Sequence, residues 1–232
     1  MRQARQENEP SERDGTASHL RIDAEAWADI WLVGDIHGCV DELETLLDRL
    51  DPAADDLVVF VGDLVRKGPD SAAVVDLVRS RDNLRSVLGN NERKLLAGEA
   101  SAGLDSDAIA YLESLPLTLE FDDCLVVHGG LDPRQPVDDQ PPEALLTMRS
   151  VPPGRGYDGP FWFDRYEGPP RVFFGHTVVD EPVIDPHAVA LDTGCVYGGA
   201  LSAYAYRDDE IVQVPAKKPY RPRPDAKIHS PA

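Results

Sequence analysis

Three short apolar runs, 30–33 (IWLV), 57–61 (LVVFV) and 84–88, each run into a glycine, and the segments between them carry helical spacing. In 40–50 the apolar positions are Leu43, Leu46, Leu47 and Leu50, and in 71–79 they are Val74, Val75 and Val78, which places one stripe on one helix face. The alternation reads as βαβαβ. Such a unit builds a parallel sheet with right-handed crossovers and gathers its loops at the strand C-termini, where ligands bind. Two further helical stretches are expected at 92–99 and 106–114. The second half turns strand-rich, at 117–121, 124–128, 171–175, 188–192, 200–206 and 211–214, with a Pro- and Gly-rich excursion at 150–170. The fold class expected is α/β, a sandwich of two sheets with helices on its outer faces.

Charge narrows the partners. The 232 residues carry 23 basic and 42 acidic side chains, a net of −19, so a nucleic-acid duplex would be repelled. No run approaches eighteen uninterrupted apolar residues, and the charged start lacks the apolar core of a secretory signal, so a cytoplasmic chain without a membrane segment is expected. Residues 1–22 and 215–232 are poor in apolar side chains and read as disordered, leaving one domain over 23–214. That body stands at −23 and the Pro-rich C-terminal tail at +4. Only 5 of the basic residues are lysine, and an acidic, lysine-poor surface is that of a salt-adapted protein. Cys39, Cys124 and Cys195 have no CxxC spacing and read as buried thiols.

Five strand ends each deliver a side chain able to hold a metal: Gly34-Asp35-Ile36-His37-Gly38, Gly62-Asp63-Leu64-Val65, Gly89-Asn90-Asn91-Glu92, His128-Gly129-Gly130 and Gly175-His176-Thr177. A lone Gly-Asp pair is an ordinary turn; five in the same register are a site. The glycines permit tight turns and close backbone approach, so ligands from separate strands can meet. Oxygen and imidazole donors without thiolate suit a hard or borderline divalent ion.

In these blocks the chain resembles the calcineurin-like metallophosphoesterases, in the branch that holds phosphoprotein phosphatases and diadenosine tetraphosphate hydrolases. The family order is GDxHG, GDxVDRG, GNHE, HGG and GHT, and the resemblance spans about 29–205, including the ALDTGCVYGGALSAY stretch at 190–204. It implies a fold of two mixed β-sheets flanked by helices and two divalent ions, Mn²⁺ ahead of Fe²⁺, Zn²⁺ or Mg²⁺. By motif, Asp35 and His37 would hold one ion, Asp63 would bridge both, and Asn90, His128 and His176 would hold the second. The substrate implied is a phosphoric ester or anhydride, dinucleoside polyphosphates being favoured. A phosphoprotein is the alternative, and a metal-holding pseudoenzyme the outside reading.

Two departures bear on the chemistry. The second block reads Gly62-Asp63-Leu64-Val65-Arg66-Lys67-Gly68, with Arg66 where the family has its second Asp, and Asn91 replaces the histidine of the third block. In the family that histidine protonates the leaving group and that Asp orients it, so both halves of the acid dyad are missing. Around the reacting phosphate, Lys67 stands where the family has a phosphate-binding arginine, and Arg149 loosely matches a second. Tyr197 is expected to line the pocket or the core, and Trp162, in the FWFDRY patch, to pack a lid or stack on a base. His19, His187 and His229 read as surface or tail residues.

Overall fold

The computed structural model describes residues 11–13, 16–224 and 227–230. In chain order the elements are β1 (Ser11–Arg13), β2 (Thr16–Arg21), β3 (Ile30–Val33), α1 (Val40–Leu50), β4 (Leu57–Phe60), α2 (Ser71–Arg79), β5 (Leu84–Ser86), α3 (Asn90–Leu96), α4 (Ser106–Glu113), β6 (Thr118–Phe121) and β7 (Cys124–Val127). They continue with α5 (Pro142–Thr147), β8 (Arg171–Phe174), β9 (Val183–Ile184), β10 (Ala188–Ala190), β11 (Ala200–Ala205) and β12 (Glu210–Pro215). One sheet has the order β12-β11-β3-β4-β5 and the other β1-β2-β6-β7-β8-β10-β9. Both are mixed: β3, β4 and β5 run parallel while β11 pairs antiparallel to β3, and β7, β8 and β10 run parallel while β6 and β9 do not.

Side-chain alternation explains the layering. Along β3 and β4, Ile30, Leu32, Leu57, Val59 and Val61 face the second sheet, where they meet Leu119, Phe121, Val126, Phe173 and Val189. The opposite faces, with Val33, Val58 and Phe60, take the apolar stripes of α1, α2 and α4. On the far side, Val127, Val172 and Phe174 are covered by α5 and by Phe161, Trp162 and Phe163. Strands buried on both faces lose the period-two signature and read as continuous apolar runs. Each such side chain contributes roughly 1.5–3 kcal/mol over an exposed one, so this three-layered core can hold strained loops in place.

Trp162 is fully buried, its ring 4.7 Å from that of Phe174, so the 150–170 excursion packs onto the sheet and its tryptophan is closed to a base. The three cysteines are free and buried. No described helix is long and apolar enough to cross a membrane.

Of the two terminal segments, the described parts lie along the body; residues 1–10, 14–15, 225–226 and 231–232 lie outside the described residues. Thr16–Arg21 adds a strand parallel to β6. Past β12 the chain stays on the body: the Lys217 amide donates to Glu42 Oε1 at 2.9 Å, the Tyr220 hydroxyl reaches the same carboxylate at 3.0 Å, and His229 bridges Val179. His229 therefore packs against Phe161 at 4.3 Å between ring centres instead of lying in solvent.

Candidate metal centre and substrate pocket

The loops after β3, β4, β7 and β8 and the start of α3 converge at one end of the sandwich. Backbone strain concentrates there. Of the eight described non-glycine residues with positive φ, five are His37, Asp63, Arg66, Lys67 and His176, the left-handed conformations a side chain adopts only when the surroundings impose it. At Gly89 and Gly175 the reason for glycine is close approach: a Cβ at Gly89 would collide with the Asp63 carboxylate and one at Gly175 with Oδ1 of Asp35.

α3 begins at Asn90, two residues earlier than the spacing suggests, and this places both asparagines in its first turn. The free amide of Asn91 then donates to Asp63 Oδ1 at 2.8 Å, one of the orphan N–H groups of a helix start meeting an anion. Glu92, fully buried, accepts from the Asp63 and Gly89 amides through Oε2, each at 2.9 Å, and from the Val65 amide through Oε1 at 3.0 Å. It fastens the second ligand loop to the third. Burial, then the charge of Asp63, pushes the Glu92 carboxyl up to about 8, opposed by these amide bonds.

The six ligand candidates meet. Oxygen and nitrogen atoms of Asp35, Asp63 and His128 lie within 4.8 Å of one another. His37 Nε2 is 3.7 Å from Asp35 Oδ2 and 3.5 Å from Asp63 Oδ2, and His128 Nε2 is 3.4 Å from Asp63 Oδ1. Asn90 Oδ1 lies 2.9 Å from His128 Nε2 and 3.1 Å from His176 Nδ1. Outer hydrogen bonds orient the imidazoles. His37 Nδ1 is 3.2 Å from the Val65 carbonyl and His128 Nδ1 is 2.9 Å from that of Val61, so each Nδ1 carries the proton and each Nε2 offers its lone pair to the centre.

Electrostatics agree with a cation-binding role for this set. Burial, then the charges of Asp192 and Asp63, raises Asp35 well above the usual carboxylate range. Burial pushes the Asp63 carboxyl up as well, but its neighbours, the Lys67 ammonium and the Asn91 amide among them, outweigh burial and lower it. Burial and then Lys67 lower His37 to about 3, and burial foremost lowers His128 and His176, so the imidazoles are neutral. Two further observations show a place for positive charge. The Lys67 ammonium lies 2.6 Å from His37 Nε2, and His176 Nε2 is buried without a hydrogen-bond partner among the described residues. Neutral imidazoles, carboxylates and an amide oxygen are donors that fit divalent cations of the hard to borderline class.

Above the cluster opens a cavity of about 660 Å³. Arg66, Lys67, Arg149, Asn91 and Tyr197, all singled out from the sequence, line it. Arg66 Nη1 donates to Asn91 Oδ1 at 2.7 Å, and Asn91 Nδ2 donates to Asp63 Oδ2 at 2.5 Å. The two departures from the family pattern thus form one bonded unit. Arg149 is held by the His176 carbonyl at 2.9 Å, its buried Nε without a partner among the described residues, and Lys67 lies 5.5 Å over the Tyr197 ring.

Sequence reasoning gave no role to Glu92 or to Asp192. Glu92 stands three residues after Gly89 at the helix start, the position of a capping-box acid. Asp192 follows the run that ends β10, the same strand-end register as the five ligand turns; it is 2% exposed, lines the cavity, and burial raises its carboxyl. The tail residues Arg221, Arg223 and Lys227 also line the cavity, which no local pattern announced.

Comparison with known proteins agrees with this geometry. A family model described as calcineurin-like phosphoesterase matches residues 28–180. The bis(5'-nucleosyl)-tetraphosphatase PrpE [asymmetrical] of Geobacillus sp. (strain WCH70) is 29% identical, the match covering 82% of this chain and 96% of that protein. The protein of the same name from Bacillus velezensis is 30% identical, over 82% and 93%. A crystal structure described as a "putative diadenosine tetraphosphatase" superposes with a TM-score of 0.78 at 35% identity, covering 87% of this chain and 99% of the other. A metallophosphoesterase from Sphaerobacter thermophilus shares the fold at a TM-score of 0.56 and 20% identity, covering 82% and 89%. A match to the family model over most of the sandwich, relatives aligned nearly end to end and a buried divalent-cation donor set place this chain in the calcineurin-like phosphoesterase family, as a metal-dependent phosphohydrolase.

Proposed function

We propose that this chain hydrolyses dinucleoside polyphosphates, splitting a phosphoanhydride with water. The reading rests on the Arg66–Asn91 pair: where the family resemblance implies a proton donor and its orienting carboxylate, a guanidinium bonds an amide, and neither releases a proton near neutral pH. A leaving oxygen at this site departs as an anion. A nucleotide phosphate does so readily; a serine alkoxide does not. The names of the PrpE relatives point the same way, and an asymmetrical split of a dinucleoside tetraphosphate gives one nucleoside triphosphate and one monophosphate.

Asp35 and His37 are assigned to one cation, Asp63 to both, and Asn90, His128 and His176 to the second. Bound divalent cations supply Lewis acidity, making water nucleophilic and offsetting charge on the phosphoryl oxygens. Mn²⁺ is the ion we assign, ahead of Fe²⁺, Zn²⁺ and Mg²⁺, all of which suit a donor set of carboxylate, imidazole and amide oxygen. Asn91 holds Asp63 and aims Arg66 into the cavity, where the guanidinium meets the departing phosphate. Lys67 and Arg149 grip the phosphate under attack, and Tyr197 closes the wall behind Lys67. The acidic body suits a salt-rich cytoplasm.

A turnover screen with Mn²⁺ over dinucleoside polyphosphates, aryl phosphates, aryl phosphodiesters and a phosphoserine peptide tests the reading. It expects the highest kcat/KM on the dinucleoside tetraphosphate. A preference for the peptide would overturn it in favour of a phosphoprotein phosphatase.

A further inference from the structure

Seven of the chain's 23 basic residues line the one cavity above the candidate metal centre, and three of them, Arg221, Arg223 and Lys227, come from the C-terminal tail. On a chain of net −19 this gathering needs a cause. Attraction of a +4 tail to a −23 body is the simple one, and it predicts that the tail cations pair with surface carboxylates. Lys217 does so, with Asp41 at 2.8 Å. Arg221 and Lys227 do not: their side chains have neither ion pair nor hydrogen bond among the described residues, and both stand in the cavity wall.

The backbone holds them there from both ends. On the near side the amides of Tyr220 and Arg221 both donate to the Val196 carbonyl at 3.0 Å, and the Tyr220 hydroxyl is fixed by Glu42. On the far side the His229 amide donates to the Val178 carbonyl at 2.8 Å, and the Asp180 amide to that of His229 at 3.0 Å. Between these anchors Arg223 stacks 4.6 Å over the Tyr197 ring, donates to the Tyr157 hydroxyl at 2.8 Å and to the Lys227 carbonyl at 2.7 Å. The same cavity is lined by Arg66, Lys67 and Arg149 and by the carboxylates of Asp35, Asp63 and Asp192.

We propose that residues 216–224 and 227–230 form a cationic strap that completes the substrate site, Arg221 and Lys227 binding the phosphates beyond the one under attack, with Arg223 as the stacked hinge that positions them. A single phosphate is met by Arg66, Lys67 and Arg149. A chain of phosphates carries charge along its length and needs cations further out, which the strap supplies. The strap thereby sets specificity for polyphosphate length, an inference that deepens the proposed function and rests on it.

Binding to the full chain in EDTA separates the two claims, because it reads the residues without turnover. The probes are inorganic tripolyphosphate and orthophosphate, titrated calorimetrically. In the double variant Arg221→Gln with Lys227→Gln the tripolyphosphate Kd should rise ~10-fold, as for two solvent-exposed ion contacts, with a shallower dependence on salt. The orthophosphate Kd should move less than two-fold, and the charge-keeping swap Arg221→Lys with Lys227→Arg should restore tripolyphosphate binding. An unchanged tripolyphosphate Kd, or equal losses for both anions, would overturn the strap. Hydrolysis of dinucleoside tetraphosphate by the unaltered chain is scored separately: if it fails while the tripolyphosphate effect holds, the substrate reading falls and the strap stands.

Discussion

Exchanging the Arg66–Asn91 pair for a carboxylate and an imidazole, Arg66→Asp with Asn91→His, should move this site's preference toward esters with poor leaving groups. The structure accommodates the change. Arg66 has φ 72°, a conformation aspartate adopts more readily than arginine, and Asn91 lines the cavity. The two positions face each other, Arg66 reaching Asn91 at 2.7 Å, and the family pattern carries its own acid dyad at these two positions. A positioned general acid contributes ~10²–10⁴-fold where the leaving oxygen needs a proton. A serine ester gains that; an anhydride, leaving as a phosphate anion, gains little. The same exchange turns a positive charge negative in the phosphate pocket, and losing a charge-assisted contact costs roughly 1.5–3 kcal/mol, about 10–150-fold in affinity for a dinucleotide. The ratio of kcat/KM for a phosphoserine peptide to that for diadenosine tetraphosphate should therefore rise by ~10³ or more. Phosphate release from the peptide and chromatographic loss of the dinucleotide measure the two, with metal content per chain matched between proteins. A ratio that stays within a few-fold of the original would refute the reasoning.

Asp63→Asn should abolish turnover and lower the metal count from about two per chain, because it weakens the only ligand assigned to both ions; retained activity at moderate Mn²⁺ would show that Asp63 does not bridge. Glu92→Gln leaves one acceptor oxygen for three buried amides, so an unpaired N–H costing about 1–3 kcal/mol should lower Tm by about 3–10 °C, and an unaltered Tm in a thermal melt would contradict the loop-fastening role. Tm of the unaltered chain should rise between low salt and ~1 M, where the Debye length is ~3 Å and self-repulsion of the acidic body is screened; a flat response would remove the salt-adapted reading.

Much of this was legible because the site is built from local signals repeated in register. A buried strand that ends in glycine announces itself in a few residues; Asp35, Asp63, Asn90 and His176 each follow such a glycine, and His128 stands just before one. The start of α3 was read two residues late, since asparagine is a weak helix former and its place in the first turn is decided by contact with Asp63. The strap was illegible for a different reason. Its Pro- and Lys-rich sequence has no apolar period, and its anchors are distant: Lys217 meets Glu42 across 175 positions. Strand β2 likewise joins the sheet only through β6, nearly a hundred residues later, as in the pair His19–Thr118. No local pattern encodes such partners.

The absence of a proton donor is the account's central claim, and leaving-group dependence tests it most directly. With a set of aryl phosphates differing in the pKa of the phenol, log kcat/KM for the Mn²⁺-loaded chain should fall steeply as that pKa rises, because the aryl oxide must depart unprotonated. A flat dependence would mean that the site protonates its leaving group, and the Arg66–Asn91 pair would not have the meaning given to it here.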